Sequence, residues 1–259
     1  MAEPEIPDLH RDRRRAMSFG AIADSYDRLR PRYCAATLDA IATAGMTALD
    51  VGAGTGILSR QLRERGVQVL AVEPDPGMAE IVTGSGIPVE VATFESWDAA
   101  GRAFDLVTFG QSFHWVNAET ALPRLAGLLN PGGRIALLWN KLRPSRPSND
   151  ELRAASPDYV NVDAVSNDPA QAGAALAELR RRFTGAGFTV TEREDGWTET
   201  QPAQRWLDLI FTYSAHSTLP AERRRVLREA LAEVIGGDEV TIAASTIALI
   251  AGAQNGGGS

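Results

Sequence analysis

The chain reads as an α/β protein: a seven-stranded, mostly parallel sheet with helices on both faces and a small helical cap. Three observations predict this. From Met46 to Asn140, short β-rich runs alternate with helical stretches, the pattern of strands linked by crossover helices. Three glycines crowd into five residues at the close of the first run, ALDVGAGTG (48–56), the mark of a tight strand-to-helix turn. Finally, about 45 residues rich in aromatic and aliphatic side chains separate the last two strand candidates, far more than a connecting loop needs.

Taken in order, the strand candidates are TALDVG (47–52), VQVLAVE (67–73), IPVEVA (87–92), FDLVTFG (104–110) and RIALLWN (134–140). Between them the spacing predicts helices over 56–65, 76–84 and 117–129, the last stopped by Asn130-Pro131-Gly132-Gly133. Residues 143–169 are polar and proline-punctuated and read as a loop with short helical pieces. A helix over 170–185 leads to a sixth strand, FTVTERE (188–194); helices over 201–213 and 220–235 precede a seventh, VTIAASTIALIAG (240–252). The implied organisation is an N-terminal lid (1–33), a core (34–142), a variable linker and helix (143–187), C-terminal strands (188–252) with the cap inserted at 195–239, and a flexible tail (253–259). Trp197, Trp206, Leu207, Leu209, Ile210, Phe211 and Tyr213, then Val226, Leu227, Leu231 and Val234, give the cap its apolar surface. Helices this apolar must pack on something, and the carboxyl edge of the sheet is where an uncovered site would lie.

Composition narrows the function. The 259 residues are 44% apolar and 23% charged, and no apolar run approaches the length of a membrane span. No leader segment is expected from the first 17 residues, which lack a continuous apolar core, and a cytoplasmic location follows. A net charge of −7 argues against a general nucleic-acid binder, so the arginine clusters at 13–15, 180–182 and 223–225 read as solvated faces. Cys34 is the single cysteine and rules out an internal disulfide; it reads as a small buried hydrophobe. Three histidines (His10, His114, His216) without paired Cys/His spacing offer no metal set.

The glycine turn holds a nucleotide, and charge says which kind. Gly52, Gly54 and Gly56 make G-x-G-x-G, and Ile57 stands where a dinucleotide turn places its third glycine. Asp50, at the strand end just before the turn, would repel a pyrophosphate but favour an ammonium group. Glu73, at the end of the second strand, stands where a carboxylate accepts ribose hydroxyls. A ribose and an amine without a phosphate describe S-adenosylmethionine (SAM), with S-adenosylhomocysteine as its product.

These residues also carry a resemblance. LDVGAGTG, AVEPDPGM (71–78), FDLVTFGQSFHW (104–115) and LLNPGGRIALLW (128–139) resemble the class I SAM-dependent methyltransferases, whose core is Rossmann-like. Phe19 to Asp27 (FGAIADSYD), followed by Arg30-Pro31-Arg32-Tyr33, and the Gln111-x-Phe113-His114-Trp115 segment are similar to the bacterial type 11 group. The resemblance implies that Asp50, Gly52, Ala53 and Gly54 face the methionine part of SAM and that Glu73 holds the ribose. It also implies that Pro74, Met78, Thr93 and Phe94 flank the adenine, that Gln111 lies near the sulfonium, and that Phe19 and Tyr26 close over the cofactor. Thr93 stands where many members carry an aspartate, which leaves the Phe94 amide as the adenine contact. A small-molecule acceptor is expected, met by His114 as orienter or base and by Tyr33, Trp115, Trp139, Phe211, Tyr213 and His216. Other readings of the same residues are an NAD-dependent oxidoreductase, disfavoured by Asp50 and Ile57, a SAM fold running a different reaction, and a non-catalytic SAM-binding partner. Whether the protein is a monomer or a homodimer does not follow from these residues.

Overall fold

The computed structural model describes residues 23–160 and 169–253. Among them, seven strands form one sheet in the order β3-β2-β1-β4-β5-β7-β6. They are β1 (Thr47–Val51), β2 (Gln68–Val72), β3 (Val89–Glu90), β4 (Phe104–Gly110), β5 (Leu129–Pro144), β6 (Phe188–Pro202) and β7 (Glu239–Ala253). β1 to β5 are mutually parallel; β7 runs antiparallel to both β5 and β6. The helices are α1 (Ala23–Leu29), α2 (Ala35–Ile41), α3 (Ile57–Arg63), α4 (Pro76–Gly84), α5 (Ala118–Gly127), α6 (Asn149–Ala155), α7 (Pro169–Gly185), α8 (Ala203–Ile210), α9 (Ser214–Ser217) and α10 (Ala221–Ile235).

The parallel strands are mostly apolar because both of their faces are covered. Alternation splits them between two cores. Leu49, Val107, Ile135 and Leu137 point to the side where Phe109, Phe113, Leu125 and Phe183 pack. Ala48, Leu106, Ala136 and Leu138 point to the side closed by Leu38, Ile41, Leu58 and Leu62. α2 was not legible in the sequence: it is seven residues long and lacks a side-chain cap, yet its Leu38 and Ile41 are fully buried.

The Asn130–Gly133 stop has a more specific job than ending a helix. Leu129 pairs with Phe104, the register then shifts, and pairing resumes at Leu106 with Arg134. Gly133 sits where a Cβ would lie 2.9 Å from the carbonyl oxygens of both Asn130 and Phe104, so only glycine fits this bulge.

Beyond Asn140, where a loop is expected from sequence, β5 continues to Pro144 on β7, and β6 and β7 pair over their whole lengths, out to Pro202 with Glu239. The connection at the cap therefore spans 203–238 instead of 195–239. Its helices build a third core of Trp206, Leu207, Ile210, Leu227 and Leu231 against Leu142, Leu152 and Ile242. Val226 and Val234, expected inside, are exposed at 49% and 37%. A cap with its own core is anchored to the strand extensions and does not lie flat on the parallel sheet.

Candidate functional site

β1 ends in the glycine turn, which needs its glycines for two reasons. Gly52, Gly54 and Gly56 all have positive φ, from 57° to 83°. A Cβ on Gly52 would also lie 2.6 Å from the Ser112 Cβ, whereas one on Gly54 would meet nothing within 4 Å. The first glycine thus lets β1 and β4 close together, and the second borders open space. A pocket opens there, at the carboxyl ends of β1 and β4, lined in part by Tyr26, Arg30, Tyr33, Asp50, Gly54 and Gln111. This is the edge of an open α/β sheet where ligands bind.

Two buried carboxylates stand beside the turn. Asp50 is fully buried; its oxygens accept from the Ser59 hydroxyl at 2.5 Å and the Thr108 hydroxyl at 2.9 Å. Burial raises its pKa to about 6 against the pull of those hydrogen bonds. Glu73 accepts from the Gly54 N–H at 2.7 Å and from the Asp75 N–H at 2.9 Å. It too is buried, which raises its pKa to about 7, with the two amides opposing. The Gly54 amide therefore serves a protein carboxylate instead of a ligand phosphate, which agrees with the charge argument from sequence. Asp75 caps α4 by accepting from Gly77 and Met78. Met78 is buried beneath it and Pro74 is half-buried.

Gln111 terminates β4 at φ +56°, a conformation non-glycine residues avoid, and its side chain bonds Tyr33. Burial holds the Tyr33 phenol well above its ordinary pKa. Beyond Gln111 the Ser112 hydroxyl donates to the Val51 carbonyl at 2.5 Å. A one-turn helix then carries Phe113, His114 and Trp115. Phe113 is anchored edge-on against Phe109 at 5.0 Å and beside Phe183 at 5.6 Å. His114 and Trp115 are left half-buried with ring centroids 5.0 Å apart.

A polar network that sequence reasoning missed holds the leading segment over the pocket. Gln61 of α3 accepts from the Tyr33 N–H and donates to the Tyr33 carbonyl, both at 2.9 Å. Asn140 donates to the Pro31 and Arg32 carbonyls, and Thr246 links Asn140 to the Cys34 amide. Arg60 ties Asp27 of α1, at 2.5 Å, to the Thr55 carbonyl in the glycine turn, at 2.7 Å. The available signal was polarity out of pattern: Asn140 and Thr246 are buried polar side chains in apolar stretches, whereas Gln61 stands among charged neighbours and gives none.

Not every expected site residue gathers here. Phe19 lies outside the described residues. Trp139 is buried in the sheet core with Ile247 and Leu249. Thr93 is half-exposed and bonds Ser96 at 2.9 Å, while Phe94 is buried edge-on against Phe109 at 5.8 Å. His216, expected at the acceptor, is fully buried within the cap instead. Its Nδ1 faces the Ile210 carbonyl at 3.1 Å, its Nε2 accepts from the Val160 N–H at 3.1 Å, and its ring stacks on Tyr159. Phe211 packs against that histidine; Tyr213 instead meets Arg30.

The donor set can be tested against a ligand. Two buried carboxylates, one cation whose Nε lacks a partner, and a turn whose middle amide is already committed fit a phosphate-free nucleoside with a zwitterionic end. Among the described residues no cluster of His, Cys, Asp and Glu could hold a metal, and no helix is long and apolar enough to cross a membrane.

Comparison with known proteins agrees. The methyltransferase-domain family model matches residues 49–137. An uncharacterised methyltransferase of Mycobacterium tuberculosis is 33% identical over 213 residues, spanning 81% of this chain and 82% of that protein. The ubiquinone biosynthesis O-methyltransferase of Xanthomonas axonopodis pv. citri is 33% identical over 117 residues, 42% of this chain and 48% of its own. Among solved structures, a protein named as a type II methyltransferase from Anaeromyxobacter dehalogenans has a similar fold. Its TM-score is 0.59 at 23% identity, over 86% of this chain and 97% of that one.

Proposed function

Since this chain belongs to the type 11 group of class I SAM-dependent methyltransferases, we propose that it methylates a small-molecule acceptor held between His114 and the helical cap. The observation that carries this reading is the reach of the cap to the cofactor pocket. Tyr213, beside α8, lies 3.6 Å from the guanidinium of Arg30, which lines that pocket. A site roofed in this way favours a small acceptor over a polymer. The net charge of −7 and a relative named for ubiquinone biosynthesis support the same class.

When bound, SAM supplies a methyl group activated by its sulfonium. The protein's share is to hold, align and dry the reactants, which can be worth roughly 7–11 kcal/mol. Glu73 takes the ribose hydroxyls, Asp50 with the Gly52–Gly54 turn faces the methionine end, and Gln111 lies beside the sulfonium. Pro74 and Met78 border the adenine, and Tyr26 closes over the cofactor. Tyr33, Trp115 and Tyr213 shape the acceptor side. His114 orients the acceptor or, where that atom must first lose a proton, removes it.

Incubating the protein with cell-extract metabolites and isotopically labelled SAM should label a low-mass product by mass spectrometry. Label appearing only in protein or nucleic acid would overturn the small-molecule reading. His114→Asn separates the two roles of the histidine. A base loses its pH-dependent rate of transfer; an orienter changes KM or rate without altering the pH profile; full activity removes His114 from the site.

A further inference from the structure

Arg30, between α1 and α2, lines the same pocket as Asp50, Gly54 and Gln111. Its guanidinium lies against two rings, 4.5 Å from the centroid of Tyr26 and 3.6 Å from that of Tyr213. One terminal nitrogen donates to the Thr212 carbonyl at 3.2 Å, while Nε is buried with no partner among the described residues. A guanidinium is the cation that matches a carboxylate, and the partnerless Nε leaves this one a hydrogen bond still to make. Asp50, in the same pocket, suits the ammonium. The cation marks the place of the negative end.

The same side chain also belongs to the cap. Thr212 and Tyr213 join α8 to α9, and Thr212 is itself buried, its hydroxyl bonded to the Leu209 carbonyl at 2.7 Å. A ligand that fixes the Arg30 guanidinium therefore fixes the inner end of the cap through two contacts, the Thr212 carbonyl and the Tyr213 ring. We propose that Arg30 receives the α-carboxylate of SAM and, through Thr212 and Tyr213, ties the order of the cap to occupancy of the cofactor pocket. This rests on the SAM-dependent reading above. It assigns to Arg30 a positioning role in addition to binding: the acceptor side is shaped once the cofactor's carboxylate is in place.

Decarboxylated SAM retains the adenosine, sulfonium and ammonium groups and lacks only the carboxylate, so it isolates the contact. Calorimetry on the full chain should show it binding at least tenfold more weakly than SAM. Arg30→Gln should weaken SAM at least tenfold and decarboxylated SAM less than twofold. Hydrogen exchange should show protection of amides 209–217 by SAM and not by decarboxylated SAM. Equal affinity of the wild-type protein for the two ligands, equal losses in the variant, or cap protection by both would overturn the assignment. Binding of neither ligand would instead bring down the SAM reading beneath it. If Arg30→Gln does not fold, the two-ligand comparison on wild-type protein decides alone.

Discussion

Replacing Glu73 by Gln keeps the shape of the side chain and removes its charge. The residue is 6% exposed and burial raises its pKa from 4.5 to about 7, an ionisation cost of about 3 kcal/mol in the folded protein. The sign follows from linkage. A carboxyl whose pKa rises on folding holds its proton more tightly when native. The stability it lends is fully present below about pH 4.5 and is lost as pH rises through about 7. Ligand binding runs the other way, because ribose hydroxyls donate to the carboxylate and select the ionised form. Wild-type SAM affinity should therefore fall about fourfold between pH 8 and pH 6.5 as Glu73 takes up its proton. At pH 8, Glu73→Gln should weaken SAM at least tenfold, about 1.4 kcal/mol, since hydrogen bonds to a charged acceptor are worth roughly 1.5–3 kcal/mol each. The variant's affinity should be flat across this range. Its thermal stability at pH 8 should stay near that of wild type: relief of the buried charge is offset because an amide cannot accept from both Gly54 and Asp75. Calorimetry at the two pH values and thermal unfolding make the measurement. A wild-type affinity indifferent to pH, or a variant that binds SAM normally at pH 8, would refute the reasoning.

Asp27→Asn breaks the Arg60 bridge that holds α1 to the glycine turn. It should weaken SAM about three- to tenfold while lowering stability by less than about 1 kcal/mol, as befits a half-exposed ion pair; unchanged affinity in a titration would remove α1 from the lid. Gln111→Gly relieves about 1 kcal/mol of backbone strain at φ +56° while giving up the Tyr33 hydrogen bond. The melting temperature should move little and single-turnover transfer should drop at least tenfold, so an unaltered rate would show that the Gln111 side chain serves no purpose in transfer. His216→Ala strips the Val160 amide of its acceptor and opens a cavity beside Tyr159. A loss of about 2–4 kcal/mol in denaturant unfolding is expected, with SAM affinity within twofold; a selective loss of SAM binding would return the residue to the site.

The sequence by itself determined the strand-helix alternation, the glycine turn and the acids at the ends of β1 and β2, because each is a local rule. Buried parallel strands are mostly apolar, a left-handed turn favours glycine, and an acid at the end of such a strand stands out of pattern. α4 lies over the expected residues, 76–84, because Asp75 and Pro76 declare its start. Local rules do not report where distant segments meet. Only the tertiary structure decided that β5, β6 and β7 run past the parallel sheet to carry a cap with its own core, since their outer residues are stabilised by pairing with one another. It alone separated His216 from Tyr213, three residues away on the chain, by turning one inward to the Val160 amide and the other toward Arg30. And it alone showed that Gln61, Asn140, Thr246 and Arg60 hold the leading segment across the pocket. A buried hydrogen bond is specified by its partner, and the bonds from Gln61 to Tyr33, Asn140 to Pro31, Thr246 to Asn140 and Arg60 to Asp27 each join residues at least 28 apart.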